Sequence, residues 1–209
     1  MENIIIGALL LASVVGLTII IERGFALRTR RIIPRSVEDA LEACHALTDW
    51  PALQRICEQN PSPLSRLLVQ AGQRRHWSKA ENASALETTA RHEVALMERR
   101  LVILEIIVGI APLLGLVGTI YGLIELFGGL SMSGLGDNTG MAKGIADALN
   151  ATLIGLLTAI PSLIAWSYYN KKVESLAVEM AALCDRFLIG QYHNEEAEAK
   201  AAAAFVSRT

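Results

Sequence analysis

Three long apolar stretches constrain the fold of this 209-residue chain more than any other feature. They cover residues 4–21, 103–130 and 141–169, and each is long enough to cross about 30 Å of hydrocarbon as a helix. A mean hydropathy of +0.38 supports membrane insertion, because soluble domains of ordinary composition are less apolar. Inside a bilayer only helices and closed barrels satisfy their own backbone groups. The sequence therefore predicts an all-α membrane protein with three transmembrane helices.

The distribution of basic residues predicts how these helices are oriented. Residues 22–102 carry most of the arginines and lysines, whereas the connection 131–140 contains none. Because cytoplasmic segments are enriched in Lys and Arg, we expect 22–102 and 170–209 in the cytoplasm, and the N-terminus and a short periplasmic loop 131–140 outside. The first stretch has no basic residues before it and no small-residue cleavage site after it, so we expect a retained anchor. A multi-pass protein of the bacterial inner membrane is predicted.

The polar segments have the periodicity of amphipathic helices. Within 22–102, apolar residues recur at steps of three or four, and breaks are expected at the prolines between residues 51 and 63. A stripe that begins at Leu86 predicts a helix that runs without a break into the second transmembrane helix. Another stripe continues through 170–209. The second and third helices are therefore both expected to extend into the cytoplasm.

Composition argues against several classes of function. Arginines are scattered among acidic residues and do not alternate with aromatic ones, so no nucleic-acid surface is expected. Cys44, Cys57 and Cys184 form no CxxC pair, which predicts free thiols, and the Cys44–His45 neighbours match no usual zinc spacing. The apolar stretches hold no His or Cys and no Ser beside a base. We therefore expect no enzyme, no catalytic residue, no metal and no cofactor.

Small residues are concentrated in the second and third stretches. Small side chains let membrane helices approach closely, and they leave more helix surface than three helices can bury among themselves, which predicts a homo-oligomer. For each glycine, packing within one subunit and lining of a pore are both open. Pro112 and Pro161 predict helix kinks. The residues predicted to pack helices and line a pore are Gly115, Gly118, Gly122, Ala148, Gly155 and Ala159.

Polar side chains inside the apolar stretches are candidates for a proton pathway. These are Thr119, Asp147 and Thr152. An ionisable group in a membrane helix costs about 2.5 kcal/mol or more, so it usually faces a bundle interior or an aqueous path, although Asp147 could instead reach the outer headgroups. Glu125 points about 120° away from Thr119, which predicts an interfacial or inter-helix contact. Glu105 is interpreted as a charge at the membrane edge.

Two motifs resemble a known family. Residues 109–122, GIAPLLGLVGTIYG, and residues 144–161, GIADALNATLIGLLTAIP, look like the paired signatures of the MotA/TolQ/ExbB proton channel family. Their order, their orientation and the short outer loop between them also match. The resemblance covers residues 99–169, and the rest of the chain matches in topology. Three helices with the first one isolated resemble ExbB and TolQ rather than MotA, which has four.

The resemblance carries implications about assembly and residue roles. It implies a pentamer of this chain around the single membrane helices of a dimeric ExbD- or TolR-like partner, whose membrane aspartate is the main proton carrier. Thr119 and Thr152 match pore-lining threonines, and Asp147 matches a family glutamate that is one methylene longer. Glu125 stands where a neutral residue is expected.

The function that follows is conversion of proton-motive force into mechanical work on the cell envelope. Energising TonB-dependent outer-membrane import, with a TonB-like protein as a further partner, is the leading interpretation. A TolQ-like role in envelope constriction and integrity, with a TolA-like protein, is the alternative. A passive oligomeric scaffold is a third possibility, and coupling to sodium rather than protons is open.

Overall fold

The computed structural model describes the backbone of residues 2–43, 50–133 and 138–206, and the side chains of residues 4–43, 50–129 and 141–192. Every secondary-structure element in these ranges is a helix. In chain order the helices are α1 (Glu2–Ala26), α2 (Thr29–Ile32), α3 (Arg35–Ala43), α4 (Trp50–Gln59), α5 (Pro63–Gln73), α6 (Lys79–Glu98), α7 (Leu101–Ser133) and α8 (Asn138–Val206).

Three of these helices are long and apolar enough to cross a membrane. The candidate spans are Ile4–Ala26, Leu101–Gly129 and Met141–Tyr192. The predicted all-α membrane fold with three transmembrane helices is confirmed. The third span belongs to a single 69-residue helix that continues far beyond the predicted end of the span at residue 169.

One predicted helix boundary differs from the structure. The helix before the second span does not run into it, because a turn at residues 99 and 100 separates α6 from α7. At this turn the Arg100 guanidinium donates to the Glu22 carboxylate of α1 at 2.5 Å, an ion pair that hydrophobic periodicity cannot reveal. In the predicted periplasmic loop 131–140, α7 continues to Ser133 and α8 begins at Asn138, and the bounds of the part outside the membrane stay a prediction. No proline in that segment stops either helix.

The chain forms two compact units, and the first contains Met1–Phe25 and Arg99–Asn170. Here α1, α7 and the first part of α8 pack together. Their common core is a cluster of buried residues, one from α1, two from α7 and one from α8. Many apolar side chains on the outer faces of the helices are exposed, as expected for surfaces that meet lipid or other membrane helices. The core residues are Leu9, Ile107, Ala111 and Ala159.

One end of this unit is held by polar contacts. Glu22 accepts from Arg100, and also from Arg23 with an Nε–Oε2 distance of 3.0 Å. The Tyr169 hydroxyl of α8 donates to the Ile20 carbonyl of α1 at 2.7 Å. Tyrosine and arginine are typical of membrane interfaces, so these contacts mark the end of the apolar part of the unit.

The second unit contains Ala26–Glu98 and Lys171–Thr209. Its core is built from the apolar faces of short helices and of the last part of α8. Here the rings of Trp50 and Phe187 are in contact, with centroids 5.7 Å apart and planes tilted by 44°. The expected breaks fall at helix starts: Pro63 is the first residue of α5, and the preceding Ser62 accepts from the Ser65 amide. The predicted stripe on α8 is buried and comprises Leu176, Met180, Leu183 and Phe187.

Candidate functional site

Helices α7 and α8 meet along a line of glycines and alanines, which we call the glycine seam. A Cβ atom added at Gly155 would lie 2.6 Å from the Ala111 carbonyl oxygen, and one added at Gly115 would lie 2.9 Å from the Ala151 carbonyl oxygen. Real Cβ atoms do not come this close, and backbone atoms cannot rotate aside. Glycine at these two positions therefore lets the helix backbones touch. The glycine seam comprises Gly115, Gly118, Gly122, Ala148, Ala151 and Gly155.

The remaining glycines of the seam face alanine side chains. A Cβ at Gly118 would lie 2.6 Å from the Ala151 Cβ, and one at Gly122 would lie 2.9 Å from the Ala148 Cβ. Both alanines are buried. Ala159 lies farther along α8 in the core shared with α1. These predicted small residues thus make contacts within one subunit, and a role for any of them in lining a pore stays a prediction.

Two threonine hydroxyls lie in the glycine seam and hydrogen-bond to each other. They belong to Thr119 of α7 and Thr152 of α8, which we call the threonine pair. Thr119 also has the Ala148 carbonyl oxygen of the opposite helix at 3.1 Å, and Thr152 has the Gly115 carbonyl oxygen at 3.1 Å. Both threonines are half-buried. The sequence predicted both residues for the pathway, and the structure brings them together.

The donors and acceptors of the threonine pair decide what it can bind. Each hydroxyl has one proton to donate and two lone pairs that accept. Because the two hydroxyls hydrogen-bond to each other, one of them donates to the other, and the second can donate to a backbone carbonyl oxygen across the helix contact. Both protons are then used within the seam. Oxygen lone pairs then remain for a donor from outside, such as water or a protonated carboxyl group. The pair is thus suited to hold a proton-bearing group in an apolar surrounding.

Asp147, predicted for the same pathway, is not brought to the threonine pair. Asp147 precedes Thr152 by five residues, so the two residues lie about 140° apart around the axis of α8. Its side chain is exposed and has no hydrogen-bond or ion-pair partner among the residues with described side chains. Asn150, also exposed, is similarly without a side-chain partner in that set. A proton-carrying role for Asp147 stays a prediction, and it would need a different surface of α8.

The two glutamates of α7 differ in their surroundings. Glu125 accepts a hydrogen bond of 3.0 Å from the Tyr121 hydroxyl one turn earlier, so its described contact is within α7 rather than between helices. Glu105 is exposed and has no partner among the side chains that the structure describes. Glu105 lies fourteen residues before Thr119 and within about 40° of it around the helix. The sequence interpretation considered its depth in the membrane and missed this shared face.

The two prolines of the membrane helices lie inside α7 and α8, and both helices continue past them. Pro112 has no amide proton, so the helical hydrogen bond to the Val108 carbonyl is missing, and Pro161 has the same effect on the Leu157 carbonyl. The predicted kinks stay predictions. A Cβ added at Gly109 would meet nothing within 4 Å, so this glycine is unlike those of the seam.

The described part of the chain contains no recognisable metal site. No group of three His, Cys, Asp or Glu residues there is close enough to hold a metal ion. Cys57 and Cys184 are buried free thiols, and burial raises the pKa of the Cys57 thiol to about 11. Cys44 and His45 lie outside the described residues.

Comparisons with known proteins agree with this architecture. The profile of the MotA/TolQ/ExbB proton channel family matches residues 59–182, more than half of the chain. The putative biopolymer transport protein ExbB-like 1 of Synechocystis sp. is 36% identical over 170 residues, covering 78% of this chain and 66% of that protein. The Tol-Pal system protein TolQ of Pseudomonas aeruginosa is 29% identical over 193 residues, covering 86% of this chain and 82% of that protein.

A shorter similarity extends to the biopolymer transport protein ExbB of Salmonella typhimurium, which is 31% identical over 94 residues, covering 45% of this chain and 38% of that protein. The family match spans the second membrane helix, the connection and the third membrane helix, and so includes the glycine seam and the threonine pair. Three membrane-capable helices, the two motifs and the family match have one consistent explanation. The chain belongs to the MotA/TolQ/ExbB proton channel family, as a multi-pass membrane protein of the ExbB/TolQ class.

Proposed function

We propose that this chain is the pentamer-forming subunit of a bacterial inner-membrane proton channel that converts proton-motive force into mechanical work. The work reaches the cell envelope through a dimeric, single-span partner of the ExbD/TolR type. A TonB-like protein that energises outer-membrane import is the client. The observation that carries the proposal is the threonine pair, two hydroxyls held together inside an otherwise apolar helix contact.

The chemistry of the threonine pair suits it to bind a group of another protein that carries the proton. Threonine hydroxyls do not ionise near neutral pH, so they cannot carry protons as charges. They can accept a hydrogen bond from a protonated carboxyl group on the partner helix and lower the cost of placing that group in the membrane. Each proton that crosses then releases about 2.3 kcal/mol per 100 mV. Proton release and uptake by the partner would bias its motion relative to the ring of subunits.

Exposed surface supports assembly with further copies. In α7 and α8, large apolar side chains on both sides of the glycine seam are exposed within one subunit, among them Leu113, Leu116, Leu153 and Leu157. Some of this surface can face lipid. Helix association in membranes is driven by close packing and polar contacts, so copies of α7 and α8 are the natural partners.

Reconstitution into liposomes tests the channel function. The chain is purified alone and together with the ExbD/TolR-like protein of the same genome, and each preparation is incorporated into vesicles with a membrane potential. We expect proton uptake, followed by a pH-sensitive dye, only when both proteins are present. A sodium gradient without a pH gradient serves as the comparison. Flux carried by sodium alone, or absence of flux from a stable complex, contradicts the proposal.

The choice of client has a specific alternative. The TolQ of Pseudomonas aeruginosa aligns with more of this chain than the ExbB of Salmonella typhimurium does, which favours a TolQ-like role with a TolA-like protein. Deletion of the gene separates the two. Loss of uptake of a large iron chelate with an intact envelope supports the import role. Detergent sensitivity and chains of undivided cells support the TolQ-like role. A passive scaffold would show neither proton flux nor dependence on the threonine pair.

A further inference from the structure

Three residues of α7 follow one another at intervals of seven. They are Glu105, Pro112 and Thr119. Seven residues advance an α-helix by almost two turns, so each residue lies about 20° from the previous one and all three share one face. Thr119 is the α7 member of the threonine pair. We call Glu105, Pro112 and Thr119 the polar stripe of α7, which spans about 21 Å along the helix axis.

Glu105 lies at one end of the polar stripe, and its carboxylate forms no ion pair with a described side chain. The positions three and four residues away hold Leu101, Val102, Val108 and Gly109, so no cation lies next to it on its own helix. Its side chain is exposed and has no partner among the described side chains. An ionised carboxylate with such neighbours is costly if it faces hydrocarbon, so it requires water or a polar path.

Pro112 supplies a polar atom in the middle of the polar stripe. Because proline has no amide proton, the carbonyl oxygen of Val108 loses its usual helical donor. In the membrane such an acceptor is satisfied by water or by a neighbouring polar group. The polar stripe thus carries a carboxylate at one end, a backbone acceptor in the middle and the threonine pair at the other end.

The other acidic residues of the membrane unit have different positions. Glu22 is bound to Arg100 and Arg23. Glu125 accepts from Tyr121 and lies about 120° from Thr119 around α7. Asp147 lies on α8, about 140° from Thr152. Of the acidic residues described in this unit, Glu105 is the one that shares the face of the threonine pair.

We propose that Glu105 is a proton-accepting group at the cytoplasmic end of the proton route that passes the threonine pair. The inference rests on the proposed function, including the orientation that places residues 22–102 in the cytoplasm. A proton that leaves the partner's carboxyl group travels along the polar stripe through water and binds the Glu105 carboxylate. The resulting carboxylic acid releases the proton to cytoplasmic water, and no other bond forms or breaks. Glu105 is then more than a charge at the membrane edge.

The test compares two glutamates of the same helix in the liposome assay with the partner present. Glu105→Gln removes the proton-binding group and keeps the size of the side chain, and Glu125→Gln is the matched control. We expect Glu105→Gln to reduce partner-dependent proton flux by about tenfold or more, in line with the loss of a positioned proton-transfer group. Glu125→Gln should retain most of the flux. Glu105→Asp should restore most of what Glu105→Gln loses, because it returns a carboxylate one methylene shorter.

The outcomes separate this inference from the proposed function. If the unmodified complex conducts protons and Glu105→Gln conducts equally well, Glu105 is only an edge charge and the inference is wrong while the channel stands. If the unmodified complex conducts no protons, the proposed function fails and this inference fails with it. The mass of each complex in detergent is measured in parallel. A reduced flux from Glu105→Gln that is matched by lost assembly, and not restored by Glu105→Asp, assigns a structural role and overturns the inference.

Discussion

Replacing Gly155 by alanine tests the position in the glycine seam where an added Cβ would come closest to the backbone of the other helix. The new Cβ would lie 2.6 Å from the Ala111 carbonyl oxygen, whereas ordinary van der Waals contact begins at 3.4 Å. Helices α7 and α8 must therefore separate by about 0.8 Å at this point, since the obstacle is backbone. A shift of that size at Thr119 would lengthen its 3.1 Å contact with the Ala148 carbonyl to about 3.9 Å, which is too long for a hydrogen bond.

The expected cost combines two effects. Overpacking a tight contact typically destabilises by about 1–3 kcal/mol. Each interhelical hydrogen bond lost in a membrane protein adds about 0.6 kcal/mol on average. The higher helix propensity of alanine offsets at most about 1 kcal/mol of this. We therefore expect Gly155→Ala to lower the free energy of unfolding by about 1–3 kcal/mol and to reduce partner-dependent proton flux.

Unfolding by a denaturing detergent, at fixed protein concentration in mild micelles, measures the change. Gly109→Ala is the matched control because Gly109 lies in α7 and an added Cβ there would have nothing within 4 Å. It should leave stability unchanged or slightly raised. Equal stability of Gly155→Ala, Gly109→Ala and the unmodified protein would refute the idea that backbone contact at Gly155 sets the geometry of the threonine pair.

Three further results are expected outside the glycine seam. Arg66→Ala should destabilise the second unit by about 2 kcal/mol, because the buried Glu93 would lose its two contacts of 2.5 and 2.7 Å with Arg66. Thermal or chemical unfolding measures the change, and an unchanged stability would contradict this reasoning. Burial raises the pKa of the Cys57 thiol from 9.0 to about 11, so the contribution of this thiol to stability should be constant below pH 9 and be lost as the pH rises from 9 to 11. Cys57→Ala should remove that part of the fall in a pH series of unfolding measurements. In intact spheroplasts, an impermeant thiol reagent should label the new thiol of Ser133→Cys but not that of Glu58→Cys, although Glu58 is an exposed position. The reverse pattern would contradict the predicted orientation.

The sequence alone predicted the fold class, because the length of an apolar stretch and the distribution of charge are properties of whole segments that do not depend on tertiary contacts. Three membrane-capable helices and the buried stripe of α8 followed from composition and periodicity alone. The turn at residues 99 and 100 did not, because neither Arg99 nor Arg100 is one of the residue types that signal a helix break. Helical backbone also extends into both ends of the predicted loop 131–140, since glycine and serine lower helix propensity without ending a helix.

The candidate site was predictable residue by residue, but its geometry was not. Thr119 and Thr152 were identified from their polarity in apolar helices and from the family motifs, yet their mutual hydrogen bond depends on the register of two antiparallel helices. Periodicity within one helix carries no information about register between two. The sequence also contains the position of Glu105 around the helix. At 100° per residue, Glu105 lies on nearly the same face of α7 as Thr119, whereas Glu125 does not. The sequence interpretation used only the depth of Glu105 in the membrane and so did not relate it to Thr119.

Proton flux through variants of the threonine pair tests the central claim most directly. Thr119→Val and Thr152→Val keep nearly the same shape and remove the hydroxyls, whereas Thr119→Ser and Thr152→Ser keep the hydroxyls and are the matched controls. Each variant is reconstituted with the partner, and its assembly is checked by mass. If the threonine pair holds the proton-bearing group, both valine variants assemble and lose about tenfold or more of the flux, while the serine variants retain most of it. Full partner-dependent flux from both assembled valine variants would contradict the account and leave the threonines as packing residues.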